Sequence, residues 1–373
     1  MKKLGFGLMR LPMLDGEDPD RIDIEQTKEM VDRFLAQGFT YFDTAWMYCK
    51  GRSESATKEA LVDRYPRESF TLATKLHAGY VNSLEDRDRI FNEQLRRTGA
   101  GYFDYYLIHA VSRELYPKYQ EYDCFGWLQE KKKAGLVKHV GFSFHDSADF
   151  LDQVLTEHPE VEFVQLQINY LDWESEGIQS RLCYETAVRH GVPVIVMEPV
   201  KGGTLASLPP RAERILKEIH PDWSIPSWAI RFVAGLDNVF MVLSGMSNVS
   251  QLDDNTGYMK KFEKLTEEEL TAIRRVVDIL NAGSAIACTG CSYCTDGCPM
   301  GIPIPTYFSL YNADLQEAEG KPWKPQESYY TNLNMGEGRA DSCIGCGQCE
   351  RVCPQHLPII ESLKKVVAYF ESM

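Results

Sequence analysis

"HVGFSFHDSADFLDQVLTEHPEVEFVQLQIN", residues 139–169, contains a strand candidate, a helix candidate and a second strand candidate in direct succession. The two outer segments are rich in β-branched and aromatic residues, which favour strands. The middle segment starts at the candidate N-cap Ser147 and carries an apolar stripe at helical spacing, formed by Phe150, Leu151, Val154 and Leu155. Two strands joined through a helix by short connections predict a parallel sheet.

The same alternation extends over residues 1–282. Eight strand candidates occur there: "KLGFGLM", "TYFDT", "FTLATK", "DYYLIH", "HVGFSF", "VEFVQLQIN", "VPVIVME" and "NVFMVLSG". Eight strand–helix units of this size predict an α/β fold closed into a (β/α)8 TIM barrel. An open, doubly wound sheet is the alternative, but no Gly-x-Gly-x-x-Gly opens a helix after a strand, which disfavours a dinucleotide-binding Rossmann domain.

The composition changes after the helix candidate "KLTEEELTAIRRVVDIL", which begins with a Thr266/Glu269 capping box. We therefore predict a barrel domain over residues 1–282 and a small domain over residues 283–373. The small domain contains two helix candidates, "PTYFSLYNADLQEAEG" and "PIIESLKKVVAYFES", with a connector rich in Pro, Trp and Tyr after the first. A domain with so few apolar stretches needs additional cross-links, such as disulfides or bound metal, to fold.

Eight of the eleven cysteines lie in this small domain, in two runs of the form C-x2-C-x2-C-x3-C-P. The runs are Cys288, Cys291, Cys294 and Cys298, and Cys343, Cys346, Cys349 and Cys353. This spacing is the bacterial ferredoxin pattern for [4Fe-4S] clusters, in which the fourth cysteine of each run ligates the other cluster. The sequence thus predicts two [4Fe-4S] clusters, one held by Cys288, Cys291, Cys294 and Cys353, and the other by Cys343, Cys346, Cys349 and Cys298. Zinc sites and disulfides are the alternatives, although structural zinc usually takes two separated pairs.

Charge and composition limit the partners. The formal charge is −14 at pH 7, and two tetracysteinyl clusters would add negative charge, so nucleic acid and anionic membranes are poor partners. No stretch approaches the length of a membrane span. Cysteines grouped in metal-type runs fit a reducing compartment, which predicts a cytoplasmic location.

Four polar residues follow the ends of barrel strands, where the chemistry of such enzymes collects. Asp43 ends the second strand candidate, Tyr48 follows in its loop, Lys75 ends the third and His109 ends the fourth. Taken one at a time, each residue has a simpler explanation: Asp43 and Lys75 as a salt bridge, Tyr48 as an aromatic residue in a loop, and His109 as a buried imidazole. As a set they suit acid catalysis: an ammonium lowers the pKa of a phenol, a carboxylate anchors the ammonium, and an imidazole orients a carbonyl oxygen.

This tetrad resembles that of the aldo-keto reductase family in residue type, order and approximate spacing. The resemblance implies hydride transfer from a nicotinamide cofactor to a small aldehyde or ketone, or the reverse oxidation of an alcohol, with Tyr48 as general acid. It also implies that Ser143 and Gln167 hold the nicotinamide carboxamide, and that Met197 takes the place of the usual stacking aromatic. The implied cofactor phosphate loop, "SGMSNVSQLDDN", contributes Gly245, Ser247, Gln251 and Asn255.

Three departures from the family pattern leave the choice of cofactor open. Phe144 stands where the family has an Asn after the carboxamide-binding Ser. Met197 stands where the family has a stacking aromatic residue, and Gln251 stands where phosphate-binding members commonly have an Arg. Lys201 and Arg231 are candidates to replace that Arg at a 2′-phosphate. The cofactor that members of the family commonly use slightly favours NADP(H) over NAD(H) for this chain.

The complete chain resembles aldo-keto reductase barrels fused to a C-terminal ferredoxin-like domain with two [4Fe-4S] clusters. Its motifs "LGFGLMRLP" and "CIGCGQCERVCPQHLPI" look typical of that group. Three hypotheses remain: a carbonyl reductase whose clusters are structural or exchange electrons with a partner such as a ferredoxin; an electron-transfer subunit with a repurposed barrel; and a redox-sensing or assembly protein. A nicotinamide transfers two electrons together as a hydride, whereas a [4Fe-4S] cluster transfers one electron at a time. No flavin-binding signature is evident in the sequence that would mediate between the two.

Overall fold

The computed structural model describes residues 2–14, 21–282, 285–288, 290–295, 297–316, 324–336, 338–353 and 355–372. Its larger domain is a closed barrel in which eight parallel strands pair in sequence order, and β1 also pairs with β8. The strands are β1 Leu4–Gly7, β2 Tyr41–Asp43, β3 Thr71–His77, β4 Phe103–Val111, β5 Val137–Phe144, β6 Phe163–Gln167, β7 Val194–Met197 and β8 Val239–Ser244. All eight predicted strands are confirmed, and the doubly wound alternative is wrong.

Helices form the outer layer of the barrel. They are α1 Ile24–Ala36, α2 Ser53–Thr57, α3 Leu84–Thr98, α4 Tyr116–Glu121, α5 Cys124–Lys133, α6 Ala148–Glu157, α7 Ser180–Arg189, α8 Pro210–Ile219, α9 Ile225–Ala234, α10 Val249–Met259 and α11 Glu267–Ala282. The predicted stripe on α6 is buried. The Thr266 amide donates to Glu269 Oε2 at 2.5 Å and the Glu269 amide to Thr266 Oγ1 at 3.3 Å, so the capping box of α11 is confirmed.

Ser147 occupies the N-cap position of α6, but its side chain makes no capping hydrogen bond. Its hydroxyl instead accepts a hydrogen bond from Arg113 Nη1 at 2.9 Å. Ser147 is therefore an N-cap in position only, because a neighbouring guanidinium competes for its oxygen.

The barrel interior explains where the polar strand ends lie. Tyr41, Ala73 and Leu107 pack with one another inside the barrel. Side chains alternate between the two faces of a strand, so the residues two positions later also point inward, one layer closer to the carboxyl ends of the strands. These residues are Asp43, Lys75 and His109.

The second domain is mainly helical, with α12 Ile304–Leu315, α13 Pro325–Gly336, α14 Gln348–Val352 and α15 Ile359–Phe370. The two predicted helices correspond to α12 and α15. The predicted connector is wrong in part, because its second half forms α13. Gly283 and Ser284 at the predicted boundary, and Pro354 after the last cysteine, lie outside the described residues.

Helix α13 connects the second domain to the end of the barrel at which the strands have their carboxyl ends. Asn332 Nδ2 donates to the carbonyl of His145 at 3.0 Å, and the Glu114 amide donates to Asn332 Oδ1 at 3.3 Å. The Tyr329 ring packs edge-on against the His145 imidazole, with ring centroids 6.1 Å apart. The loops after β4 and β5 are thus held by the small domain. Among the described helices, none combines the length and apolar character needed to cross a membrane.

Candidate active site and cluster cavities

The predicted tetrad comes together at the carboxyl ends of the strands. Lys75 Nζ donates to Asp43 Oδ1 at 2.5 Å and to the Thr44 carbonyl at 2.8 Å, and both members of the pair are fully buried. The same ammonium lies 4.7 Å from the centroid of the Tyr48 ring. The His109 ring stands edge-on to Tyr48, with centroids 6.1 Å apart. The salt-bridge explanation for Asp43 and Lys75 is therefore confirmed, and it is compatible with the catalytic hypothesis.

The electrostatics of the site keep the phenol protonated. Burial raises the pKa of Tyr48; the Lys75 charge lowers it, but the balance stays above the usual value for a phenol. Burial alone would lower the pKa of Lys75, yet Asp43 and Tyr48 hold it above its usual value, so the ammonium stays charged. The predicted effect of the ammonium, which lowers the pKa of the phenol, is present, but the cost of burying a phenolate outweighs it.

His109 is a neutral imidazole. Burial, helped by the Lys75 charge, lowers the pKa of His109 well below its usual value. The chain beside it is distorted: the pairing of β4 with β5 shifts between Ile108 and Val111, and Ala110 has a φ of 55°. A neutral ring can donate an N–H to a carbonyl oxygen without adding a second positive charge to the site.

The buried histidines make stability depend on pH. Burial lowers the pKa of His145 to about 4 from 6.5, so the unfolded chain binds the proton more readily. Stability is then complete above pH ~6.5 and falls as the pH drops toward 4. We expect His145 alone to lower the free energy of unfolding by about 2 kcal/mol between pH 7.5 and pH 5, measured by anaerobic urea unfolding.

The matched variants for that measurement are His145→Phe, which keeps an aromatic ring against Tyr329, and His190→Gln on the barrel surface. His145→Phe should flatten the pH dependence, whereas His190→Gln should retain it. An unchanged slope in His145→Phe would contradict the assignment.

Ser143 and Gln167 present complementary hydrogen-bonding groups. The Ala110 amide donates to Ser143 Oγ at 2.7 Å, which leaves the serine O–H to donate elsewhere. Gln167 Nε2 donates to Asp172 Oδ2 at 3.3 Å, while Gln167 Oε1 is buried without a partner. A donor and an acceptor at adjacent strand ends match the oxygen and the NH2 group of a carboxamide. Asp172 orients the Gln167 amide, a role that no motif in the sequence indicates.

A second buried ion pair fixes Asp172. Lys201 Nζ lies 2.7 Å from Asp172 Oδ1, and both side chains are buried. The side-chain amide of Asn169 donates to the other carboxylate oxygen, Asp172 Oδ2, at 2.8 Å. Lys201 as a contact for a cofactor phosphate is therefore wrong, because its charge is taken up by a buried carboxylate.

The predicted phosphate loop is closed by its own hydrogen bonds. The Ser247 amide donates to Gln251 Oε1 at 2.7 Å, and Ser247 Oγ donates to the Arg10 carbonyl at 3.0 Å. Asn255 Nδ2 donates to Ser244 Oγ at 3.0 Å. Gly245 approaches Arg10 so closely that a Cβ would lie 3.2 Å from Arg10 Cδ. The first loop of the barrel thus brings a guanidinium to this loop, which the sequence analysis missed.

The remaining predicted positions are Met197 and Phe144. Met197 ends β7, with its Sδ 3.3 Å from Gln165 Nε2. Phe144 points outward from the barrel and packs on Phe150, so it does not replace the missing Asn at the site.

The eight cysteines of the two runs surround two small cavities. Cys288, Cys291, Cys294 and Cys353 line the first, together with Ile304 and Phe308. Cys343, Cys346, Cys349 and Cys298 line the second, which Ile304 also borders. Three thiols of each set come from one run and the fourth from the other, and the set is enclosed by apolar side chains. Thiolate donors around an apolar cavity are the donor set that a cubane requires.

Sequence models of known families match both parts of the chain. The model of the aldo/keto reductase family matches residues 3–278, well over half of the chain. The chain belongs to the aldo/keto reductase family. A model for a 4Fe-4S dicluster domain matches residues 287–357, so this family member carries an iron–sulfur domain behind its barrel.

Several known proteins resemble this aldo/keto reductase. The uncharacterized oxidoreductase C215.11c of Schizosaccharomyces pombe is 26% identical over 265 residues, covering 68% of this chain and 80% of that protein. The uncharacterized oxidoreductase YqkF of Bacillus subtilis is 23% identical over 278 residues, covering 66% and 85%. The holo form of AKR11C1 from Bacillus halodurans superposes with a TM-score of 0.57 at 24% identity, covering 74% of this chain and 91% of that one. An aldo/keto reductase from Klebsiella pneumoniae in complex with NADP and acetate gives 0.59 at 19% identity, with the same coverage. These structures share the barrel fold.

Proposed function

We propose that the protein is an NAD(P)H-dependent reductase of small aldehydes or ketones, with Tyr48 as general acid. The observation that carries the proposal is the buried Lys75–Asp43 pair beneath a protonated Tyr48, next to a neutral His109. A nicotinamide supplies a hydride when bound, and the donor–acceptor pair of Ser143 and Gln167 fits its carboxamide. Membership of the family supports the same reaction.

Each side chain has a defined task in this scheme. His109 donates a hydrogen bond to the carbonyl oxygen and places it near the Tyr48 hydroxyl. Tyr48 gives its proton to that oxygen as negative charge develops there, and Lys75 stabilises the phenolate that remains. Asp43 keeps Lys75 charged and in place.

The site also supports the slight preference for NADP(H). The Arg10 side chain lies against Gly245 in the proposed phosphate loop, and its nearest described carboxylate, Glu198, is 3.9 Å away. We infer that Arg10, rather than Lys201 or Arg231, supplies the positive charge for a 2′-phosphate. Two Klebsiella pneumoniae structures with the same fold, one in complex with NADPH and one with NADP and acetate, are consistent with this choice.

The test of the function is anaerobic oxidation of NADPH and NADH with a panel of small aldehydes and ketones. Gln167→Ala should raise KM for the nicotinamide about tenfold, because one buried hydrogen bond is lost, while kcat changes less. The exposed Gln153→Ala is the matched control. If neither nicotinamide binds although the clusters reduce reversibly, the electron-transfer hypothesis replaces the reductase hypothesis.

A further inference from the structure

The imidazole of His109 is not fixed by a hydrogen bond on its inner nitrogen. His109 Nδ1 is buried and, within the part of the chain that the structure describes, has no hydrogen-bond partner. The ring has edge-on contacts with Tyr48 and with His77, whose ring centroid is 5.4 Å away. In histidines that act through one ring nitrogen, a hydrogen bond to the other nitrogen usually sets the direction of the ring. The direction of this imidazole therefore depends on how its main chain is held.

Side chains hold both ends of the peptide unit between His109 and Ala110. The His109 carbonyl accepts a hydrogen bond from the Tyr119 hydroxyl, and the Ala110 amide donates to Ser143 Oγ at 2.7 Å. A peptide unit is planar, so two bonds that fix its carbonyl oxygen and its N–H also fix the plane on which both Cα atoms lie. The direction in which the His109 side chain leaves the strand depends on that plane.

The same peptide unit lies where the strand is irregular. Ala110 has a φ of 55°, a left-handed value that residues other than glycine rarely adopt. The pairing of β4 with β5 shifts between Ile108 and Val111, so the sheet ladder is interrupted around Ala110. A strained backbone conformation persists only where its surroundings hold it, and such positions are concentrated at active sites. Here that hold comes from the two side-chain hydrogen bonds.

Tyr119, on α4, joins the ends of two strands. Its side chain is fully buried, and its hydroxyl also accepts a hydrogen bond from the Ala78 amide, just after β3, at 2.9 Å. The Leu76 carbonyl, at 3.5 Å, is farther from the hydroxyl than the His109 carbonyl is, so the single O–H is directed at His109. Burial raises the pKa of Tyr119 far above its usual value, which keeps this donor protonated.

We propose that Tyr119 is a positioning residue for carbonyl reduction: it holds the His109–Ala110 peptide so that the imidazole faces the carbonyl oxygen while Ser143 faces the nicotinamide carboxamide. This role rests on the proposed function. Because the Tyr119 hydroxyl is buried and bonded to main-chain groups, it acts through His109 and not on a reactant. One strained peptide then sets the relative position of the two groups that hold the carbonyl and the nicotinamide.

The test is Tyr119→Phe in the full chain, reconstituted with iron and sulfide under anaerobic conditions and assayed with NADPH and the fastest carbonyl of the panel. We expect kcat to fall about tenfold to a hundredfold, because small displacements of reacting groups have effects of this size. NADPH binding, measured by quenching of tryptophan fluorescence, should weaken at most about threefold, because the hydrogen bond between Ala110 and Ser143 remains.

The matched control is Tyr116→Phe. Tyr116 lies on the same helix, is 4% exposed, and its hydroxyl bonds to Glu157 and lies 2.9 Å from His158 Nε2, at the end of α6. This variant also loses a tyrosine hydrogen bond from α4 but leaves the end of β4 untouched, so it should turn over like the wild type. Equal kcat values for Tyr116→Phe and Tyr119→Phe would overturn the assignment.

A double-mutant cycle separates positioning from general loosening of the fold. In a His109→Ala background, Tyr119→Phe should lower the single-turnover rate by less than about threefold, because the imidazole that it positions is gone. The same fold loss in both backgrounds would show that Tyr119 acts on the structure as a whole, and would overturn the assignment.

A crystal structure of the holoenzyme provides a check without any variant: a His109 carbonyl that points away from the Tyr119 hydroxyl would overturn the assignment directly. A wild type that reduces no carbonyl overturns the proposed function together with this role. An active wild type with an unimpaired Tyr119→Phe variant overturns the role of Tyr119 alone.

Discussion

Tyr48→Phe lowers kcat for carbonyl-dependent NADPH oxidation by about 10²- to 10⁴-fold, the usual contribution of a positioned general acid. The variant removes only the hydroxyl, so the ring stays beside Lys75 and edge-on to His109. The loss appears in kcat because the proton moves only as the carbonyl oxygen gains charge. Stopped-flow measurement of a single turnover at saturating NADPH reports this step directly.

The control variant is Tyr102→Phe, which changes a tyrosine just before β4, at the opposite end of the barrel. It should leave kcat unchanged, and NADPH should bind both variants as it binds the wild type. An unaltered single-turnover rate in Tyr48→Phe would remove Tyr48 from the chemistry. A loss explained entirely by weaker NADPH binding would assign it to cofactor binding instead.

The barrel and its tetrad were accessible from sequence because both depend on local pattern. Strands show as short β-rich runs, and a polar residue after such a run lies at the carboxyl end of its strand. Asp43, Lys75 and His109 each lie two residues beyond an inward apolar side chain, so their common direction follows from the pleat alone.

Features that depend on contacts between residues far apart in the sequence could not be predicted from it. Lys201 and Arg231 are both cationic residues in the barrel half of the chain, yet one is paired with Asp172 and the other lies between two aromatic rings. The sign of the pKa shift of Tyr48 is set by burial, which composition does not report. Helix α13 was missed because it carries Tyr and Asn residues, which serve contacts with the barrel, in place of a regular apolar stripe.

Two double cysteine variants, one with a substitution in each run and one with both substitutions in the second run, distinguish crossed from uncrossed ligation of the clusters. Cys353→Ala lowers the iron content from about eight to about four per chain, because a cubane that loses a thiolate is released. In the crossed arrangement, Cys353 and Cys288 serve the same cluster, so the double variant Cys288→Ala/Cys353→Ala also retains about four irons. Cys343→Ala/Cys353→Ala loses both clusters, because those two cysteines line different cavities. Iron and sulfide analysis with electron paramagnetic resonance of the reduced protein checks each variant.

Uncrossed ligation reverses the two outcomes: Cys288→Ala/Cys353→Ala then loses both clusters and Cys343→Ala/Cys353→Ala keeps one. Cys183→Ala is the control, since this buried cysteine lies on α7, outside both runs, and should retain full iron. Release of a cluster also loosens the small domain, because Cys294, Cys349 and Cys353 belong to its hydrophobic core. Asn332 on α13 then holds the His145 carbonyl, in the loop that follows β5 at the carboxyl end of the barrel, less firmly. Chains lacking both clusters should therefore show a higher KM for the carbonyl substrate than chains lacking one.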